Sequence, residues 1–328
     1  MKIAINGFGR IGRAAAKIIT ERDGVELVAI NDLTDVETLA HLLKYDTVYG
    51  VWGHEVGHDG GDLIIDKRRI HSYTEKDPAM LPWGELGVDI VIECTGKFLT
   101  TDDAKAHLKA GAKKVVLSAP PKDETPMYVM GVNADQYKDE EIVSNASCTT
   151  NCITPVMKVL EGEFGIEKSF MTTIHSYTAD QNLVDGPHKD LRRARGAACN
   201  IVPTSTGAAK AAFKTIPALK GVFDGLAVRV PTPSVSLSDI TAVLKKDVGI
   251  DDLKKAFKSA EKGELKGILA TTDEELVSTD FTGMKYSTMV DLGLIQVVGG
   301  NLVKVIAWYD NEWGYSERLV DLTTLVGK

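Results

Sequence analysis

The first part of the chain alternates short apolar runs with amphipathic segments. The runs Lys2–Asn6, Val88–Glu93 and Lys114–Ser118 are apolar enough to be buried strands. Between such runs, Arg10–Arg22 and Thr101–Ala110 space their apolar residues as helices do. Alternation of strands and helices predicts an α/β fold with a doubly wound parallel sheet.

The pattern changes near residue 148. A helix predicted over Thr149–Gly162 is followed by longer β-rich runs, which predict an α+β domain with a mostly antiparallel sheet. Tyr177–Ser205 is weakly periodic and is typical of a functional loop, and Gly314–Val326 is predicted as a final helix. We therefore predict a first domain over residues 1–147, a second over 148–312, and a terminal helix, 313–328, that packs back on the first domain.

The chain begins with a dinucleotide-binding fingerprint. Gly7, Gly9 and Gly12 fit G-x-G-x-x-G, directly after a predicted strand and at the start of a predicted helix. Val25–Asn31 is predicted as the second strand, and Asp32 ends it, twenty residues after Gly12, where a carboxylate binds the ribose hydroxyls. An acidic residue there repels a 2′-phosphate, so this Rossmann-type domain is predicted to bind NAD rather than NADP.

A cysteine among small polar residues is the main candidate for chemistry. In SNASCTTNC, Cys148 precedes the predicted helix, whose N-terminal dipole favours a thiolate. His175 ends a β-rich run and can meet Cys148 in space as an activating base. Taken singly, each residue is more often structural, but beside a nicotinamide the pair suggests oxidation of an aldehyde through a thioester.

Composition narrows the class of protein. The 328 residues carry a formal net charge of −8, which does not favour nucleic acid or anionic membranes as partners. No apolar run is long enough to span a bilayer. The four cysteines are few and scattered, as in proteins of the reducing cytoplasm, where we expect this one.

Three other interpretations compete with this one. His54-Glu55-Val56-Gly57-His58 matches the H-E-x-x-H signature of zinc proteases, which requires a helix. Glycines crowd that segment, so we predict a polar loop and no metal. The basic run at 192–195 lacks the interleaved aromatic residues of a nucleic-acid module. A pure NAD-binding sensor would not need the Cys148–His175 pair.

Seven motifs in order resemble one family. They are INGFGRIGR, ECTG, SNASCTTNCITP, TTIHSYTADQ, DGPHKDLRRARGAACNIVPTSTGAAKA, VRVPTP and WYDNEWGYS. Along essentially its whole length the chain resembles the phosphorylating glyceraldehyde-3-phosphate dehydrogenases. The resemblance implies reversible, NAD-dependent conversion of D-glyceraldehyde 3-phosphate and inorganic phosphate to 1,3-bisphosphoglycerate, in glycolysis and gluconeogenesis, by a homotetramer.

The resemblance also implies residue roles. Cys148 matches the family's nucleophile and His175 its base. The implied substrate and phosphate contacts are Ser147, Thr149, Thr178, Arg195, Thr206, Gly207 and Arg229. Besides the three fingerprint glycines, the implied NAD contacts are Arg10, Ile11, Asp32, Lys76, Ser118 and Asn311.

Three positions depart from the family pattern. Pro121 stands where Ala is commoner, and Ser234 replaces a usual Asn. Gly186 stands before Pro187 where NAD-specific members often have Leu, which weakens the cofactor assignment slightly, although Asp32 and Pro187 still favour NAD. The close alternative within the enzyme class is erythrose-4-phosphate dehydrogenase, which shares the cysteine motif.

Overall fold

The computed structural model describes all 328 residues, which divide into two compact units. The first unit contains Met1–Tyr128, Gln136–Ala146 and the terminal segment Ser316–Lys328. The second contains Val129–Asp135 and Ser147–Tyr315. The chain therefore returns to the first unit at its C-terminal end.

The strands lie in three sheets. In chain order they are β1 Lys2–Asn6, β2 Glu26–Asn31, β3 Tyr45–Asp46, β4 Gly50–Val51, β5 Val56–Asp59, β6 Asp62–Ile65, β7 Arg68–Tyr73, β8 Ile90–Glu93, β9 Lys114–Leu117, β10 Ile142–Ser144, β11 Ile166–Ser176, β12 Val202–Ser205, β13 Phe223–Val230, β14 Ser236–Leu244, β15 Leu269–Thr272, β16 Thr288–Val298 and β17 Leu302–Tyr309. Strands β3 and β4 form a separate two-stranded ribbon.

Eight helices complete the regular structure. They are α1 Arg10–Thr20, α2 Val36–Lys44, α3 Trp83–Leu86, α4 Thr101–Lys109, α5 Cys148–Phe164, α6 Ala208–Thr215, α7 Ile250–Lys262 and α8 Trp313–Val326. None is long and apolar enough to cross a membrane.

The sheet of the first unit is parallel over most of its width. Its order is β10-β9-β8-β1-β2-β7-β6-β5, and every pair from β10 to β7 is parallel. Only β7-β6 and β6-β5 are antiparallel. Strand β8 is buried at all four positions, as expected of a strand covered on both faces. The predicted doubly wound sheet is confirmed, and all the parallel strands end at one edge.

The second unit is α+β, as the pattern after residue 148 predicted. Its seven strands follow the order β12-β13-β11-β14-β17-β16-β15. Only β11-β13 and β15-β16 are parallel, and the other pairs are antiparallel. Helix α5 packs its apolar side chains into the core of this unit. Between β11 and β12 runs a segment, residues 177–201, that contains only one short 3₁₀ turn, Ala197–Cys199; we call it the long loop.

Candidate active site

Cys148 is the first residue of α5. The helix begins there because Ser147 caps it: the Ser147 hydroxyl accepts a hydrogen bond from the Thr150 N–H at 3.0 Å. Ala146, just before the cap, has a φ of 55°, an uncommon conformation for a residue with a side chain. This turn aligns the Cys148 side chain with the positive end of the helix.

His175 lies near the end of β11 and faces the thiol. Its Nε2 is 3.5 Å from Cys148 Sγ, and its Nδ1 is 2.7 Å from the Ser176 carbonyl oxygen. Because a carbonyl can only accept, Nδ1 carries the ring proton and Nε2 is left as the acceptor towards sulfur. The predicted meeting of these two residues is present within the second unit.

Burial sets the protonation of this pair. Desolvation raises the pKa of the Cys148 thiol, and the Arg229 charge and hydrogen bonds with Thr149 act in the opposite direction. Desolvation, with the Arg229 charge acting in the same sense, lowers the pKa of His175 to about 3. The helix dipole alone favours a thiolate, and burial acts against it by raising the pKa of the Cys148 thiol.

Arg229 reaches the same place from β13, the strand paired with β11. Its guanidinium donates to the Ser176 carbonyl oxygen at 3.1 Å and to the Thr178 hydroxyl at 3.3 Å. The same nitrogen is 3.2 Å from His175 Nδ1. Its Nε is buried without a hydrogen-bond partner. A half-buried guanidinium with a spare donor beside the reactive pair is suited to an anionic substrate.

Two positioning contacts were missed at the sequence level. The Tyr309 hydroxyl lies 2.9 Å from the Thr149 hydroxyl, so this predicted phosphate contact is turned into the protein. The Asn311 Oδ1 accepts from the hydroxyls of Ser176 and Ser236, each at 2.9 Å. Both serine hydroxyls fix the Asn311 amide so that its NH₂ group remains available as a donor.

The other predicted phosphate contacts are less clearly assembled. Arg195 is exposed and pairs with Asp185, its Nε lying 2.8 Å from the carboxylate. Thr206 and Gly207 precede α6, and the Thr206 hydroxyl accepts from the Ala208 N–H at 3.2 Å. A Cβ at Gly207 would meet nothing within 4 Å, so this helix N-terminus is open, as an anion site requires.

The first unit contains a cavity of about 450 Å³ at the carboxyl ends of its strands. Three fingerprint glycines shape one wall. A Cβ on Gly7 (φ 92°) would lie 2.6 Å from the Thr95 nitrogen, and one on Gly12 would lie 2.2 Å from the Gly7 carbonyl oxygen. Gly9 has nothing within 4 Å and lines the cavity. A cavity of this size with a bare backbone wall fits a dinucleotide pyrophosphate.

Asp32 is held at this cavity by backbone donors. Its carboxylate accepts from the N–H groups of Phe8, at 2.7 Å, and Thr34, at 3.0 Å. Lys76 also lines the cavity, and Ser118 follows β9 at the same edge of the sheet. Ile11 is half-buried in the first turn of α1.

Arg10 turns its side chain towards a carboxylate of its own unit. Its guanidinium makes a bidentate pair with Asp46, with distances of 3.0 and 3.2 Å. The Arg10 backbone stands at the N-terminus of α1, and the contact of Arg10 with NAD remains a prediction.

The H-E-x-x-H segment is not helical. Val56–Asp59 forms β5, which pairs with β6, so the segment is a hairpin strand and not the predicted loop. His54 Nδ1 lies 2.5 Å from Asp66 Oδ2. The two histidines therefore lack the shared helical face that a zinc protease needs, and the structure contains no group of three or more His, Cys, Asp or Glu residues that could hold a metal ion.

A dinucleotide-binding unit together with a part-buried Cys–His pair defines the class: an oxidoreductase with a cysteine suited to act as the nucleophile. Comparison with known proteins narrows this class to one family. Family models of glyceraldehyde 3-phosphate dehydrogenase match residues 1–101, as the NAD binding domain, and 147–311, as the C-terminal domain.

Named relatives match over the whole chain. Glyceraldehyde-3-phosphate dehydrogenase of Geobacillus stearothermophilus is 53% identical over 328 residues, 99% of this chain and 98% of the relative. The proteins of the same name from Priestia megaterium and Mycobacterium avium are each 54% identical, over 99% and 100% of this chain and 98% and 99% of their own lengths. The chain belongs to the glyceraldehyde-3-phosphate dehydrogenase family, and its cofactor is NAD.

Proposed function

We propose that the chain oxidises D-glyceraldehyde 3-phosphate and transfers the acyl group to inorganic phosphate, giving 1,3-bisphosphoglycerate. The observation that supports this most is the Cys148–His175 pair, 3.5 Å apart, beside Arg229. NAD, when bound, supplies the hydride acceptor.

The chemistry of the protein residues follows from the proton positions. Nε2 of His175 takes the proton of the Cys148 thiol as sulfur attacks the aldehyde carbon. The imidazolium then gives this proton to the former carbonyl oxygen, which becomes the hydroxyl of a hemithioacetal. His175, again free to accept, then takes the hydroxyl proton as hydride leaves. The Cys148 N–H and the imidazolium stabilise the oxyanion. The resulting Cys148 thioester is attacked by phosphate, which releases the acyl phosphate and restores the thiol.

Two anionic groups must be bound during this sequence. Arg229 and Thr178, already in contact, are suited to one. The open N-terminus of α6 at Thr206 and Gly207 is suited to the other. We assign Arg195, Ser147 and Thr149 to the phosphates as well. Arg195 would leave its exposed ion pair with Asp185 and bind a phosphate instead. Thr149 would bind a phosphate after its hydroxyl turns away from Tyr309.

The substrate can be tested directly. The protein should show a higher kcat/KM for glyceraldehyde 3-phosphate than for erythrose 4-phosphate, because the His175–Asp180 run and the Thr206-Gly207 pair resemble the triose-phosphate enzyme. Steady-state kinetics with both aldehydes, at the same NAD and phosphate concentrations, measures the preference. A higher kcat/KM for the tetrose would favour erythrose-4-phosphate dehydrogenase.

Asp32 is proposed to set cofactor choice. Asp32→Ala removes the carboxylate that binds the ribose hydroxyls and repels a 2′-phosphate, so the ratio of kcat/KM for NADP to that for NAD should rise at least about tenfold. Glu37→Ala, an exposed carboxylate in the first turn of α2, is the matched control and should leave the ratio unchanged. An unchanged ratio in Asp32→Ala would remove this assignment.

We further propose a homotetramer. Large apolar side chains of the long loop are exposed in the single chain: Leu183, Val184, Leu191 and Ile201 are 79, 74, 81 and 72% exposed. Apolar side chains this exposed on one segment are typical of a surface that another subunit covers.

Light scattering is expected to give four times the chain mass. Leu191→Asp places a charge on the exposed apolar surface of the long loop and should shift the mass towards smaller species. Met80→Asp, at a side chain of the first unit that is 71% exposed, is the control and should leave the mass unchanged. A fully active monomeric wild-type protein would refute the tetramer.

A cytoplasmic location is proposed on the cysteines. All four are free in the structure: Cys94, Cys148, Cys152 and Cys199. Thiols that remain free are typical of the cytoplasm, where they are kept reduced. No membrane or nucleic-acid partner is proposed.

A further inference from the structure

Glu93 is a carboxylate buried at the end of β8, with no exposed surface. Its Oε2 accepts from Asn6 Nδ2 at 2.6 Å and from His107 Nε2 at 3.1 Å. Its Oε1 accepts from the N–H of Thr95 at 2.7 Å and from the Thr95 hydroxyl. All four contacts are donors and no Lys or Arg is among them, so hydrogen bonds alone satisfy both carboxylate oxygens.

His107 is held in one tautomer by Trp83. The indole Nε1 lies 3.1 Å from His107 Nδ1, and both rings are fully buried. An indole N–H can only donate, so Nδ1 must accept and the ring proton resides on Nε2. The bond from Trp83 therefore fixes His107 Nε2–H as the donor to Glu93.

The contacts continue from Glu93 to the cavity. Asn6 Oδ1 accepts from Asn31 Nδ2 at 2.7 Å. The Asn31 side chain makes two hydrogen bonds with the backbone of Glu75, donating to its carbonyl at 2.9 Å and accepting from its N–H at 2.8 Å. Asn6, Asn31, Glu75 and Thr95 all line the cavity, whereas Glu93, Trp83 and His107 do not. One buried carboxylate thus joins the ends of β1, β2 and β8 and the loop after β7.

We propose that Glu93 is a positioning residue for NAD: without touching the cofactor, it fixes the cavity walls through Asn6 and Thr95. The proposal rests on the assignment of this cavity to NAD. His107 donates to Glu93, and Trp83 holds the His107 ring in the orientation that this bond requires. The Asn31–Glu75 wall lies beside Asp32, so the effect falls on the adenosine half of the ligand.

Glu93→Gln tests the proposal with almost no change of volume. If the amide oxygen stays with Thr95, the amide nitrogen faces two donors, Asn6 Nδ2 and His107 Nε2. The Asn6 amide must turn, and its bond from Asn31 is then lost. We expect the Kd for NAD to rise about 10- to 100-fold.

Calorimetric titration with NAD and with ADP-ribose should show the same rise in Kd for both ligands. The rate of Cys148 alkylation without NAD, a property of the second unit, should match wild type. Thr323→Val is the matched control, since it removes a buried hydroxyl of the same unit that bonds only the Leu319 carbonyl, at 2.7 Å. Both Kd values should be unchanged in it.

His107→Phe provides a second variant, which removes the donor to Glu93 and keeps a ring beside Trp83. It should raise both Kd values by a smaller factor. If Glu93→Gln does not fold, His107→Phe decides. Binding of NAD within about twofold of wild type in either folded variant would overturn the proposal, as would a loss for NAD with none for ADP-ribose. Titration of Asp32→Ala with NAD separates the two assignments. If Asp32→Ala and Glu93→Gln both bind NAD normally, the assignment of the cavity to NAD fails. If Asp32→Ala alone binds NAD more weakly, the role of Glu93 fails.

Discussion

His175→Asn is expected to lower kcat about 10²- to 10⁴-fold, the usual contribution of a general base. Asparagine retains polarity and fits the space, but its amide cannot take the proton of Cys148 Sγ, which lies 3.5 Å from Nε2 in the wild-type protein. The thiol is then left with its pKa raised by burial and without an acceptor. Alkylation of Cys148 by iodoacetamide near neutral pH should slow for the same reason.

The matched control for this variant is Cys152→Ser. Cys152 is fully buried one helical turn after Cys148, near the hydroxyls of Ser238 and Thr288, and its pKa is raised to about 12. The Cys152→Ser variant should retain turnover and alkylation by iodoacetamide, which locates the reactive thiol at Cys148. If His175→Asn leaves both turnover and alkylation intact, another residue acts as the base.

Regular elements were predictable wherever one strong pattern dominated. Strand β1, the glycine turn and α1 were placed almost as they are, because an apolar run, a fingerprint and a helical period follow each other directly. The hairpins from β5 to β7 were missed, since their sequence is short, polar and rich in glycine. Strand β5 is stabilised by its pairing with β6, which a local pattern does not contain.

The site was predictable only in part. The contact between Cys148 and His175, the proposed nucleophile and base, was predictable because each stands at the end of an element with a specific motif. The effect of burial on the pKa of the thiol was not, because the helix dipole does not reveal it. Contacts such as Thr149 with Tyr309 span 160 residues and depend on how α5 packs against the sheet. The prediction for Arg195 remains a prediction, since it lies in a loop without periodicity.

Glu93 illustrates the limit of pattern analysis. Glu93 ends the apolar run Val88–Glu93, which predicted a buried strand. A buried carboxylate at the end of such a strand indicates that hydrogen-bond donors surround it. Which donors they are could not be predicted, because Asn6 and His107 come from separate parts of the chain. Only the folded structure shows that they converge.

Removing inorganic phosphate is expected to stop turnover almost completely. The thioester on Cys148 must be released by a nucleophile, and neither the Cys148 nor the His175 motif contains a carboxylate suited to activating water. Arg229 with Thr178, and the open N-terminus of α6 at Thr206, instead provide donors for anions. Hydrolysis should therefore be about 100-fold slower than phosphorolysis, or slower still.

Two variants locate the phosphate requirement. Thr206→Val and Arg195→Gln should each raise the KM for phosphate more than the KM for NAD, because they alter proposed anion contacts in the second unit. Lys189→Gln removes an exposed charge elsewhere in the long loop and is the control for Arg195→Gln. A rise in the KM for NAD alone would contradict the assignment of these two residues.

The most direct test of the account is a rapid-mixing experiment in phosphate-free buffer. Protein mixed with NAD and glyceraldehyde 3-phosphate should produce one NADH per active site and then stall as the Cys148 thioester. Adding phosphate should restart NADH production, and arsenate should do the same through an unstable acyl arsenate. Steady NADH production without phosphate, at the rate seen with it, would show that the chain is a hydrolytic dehydrogenase instead.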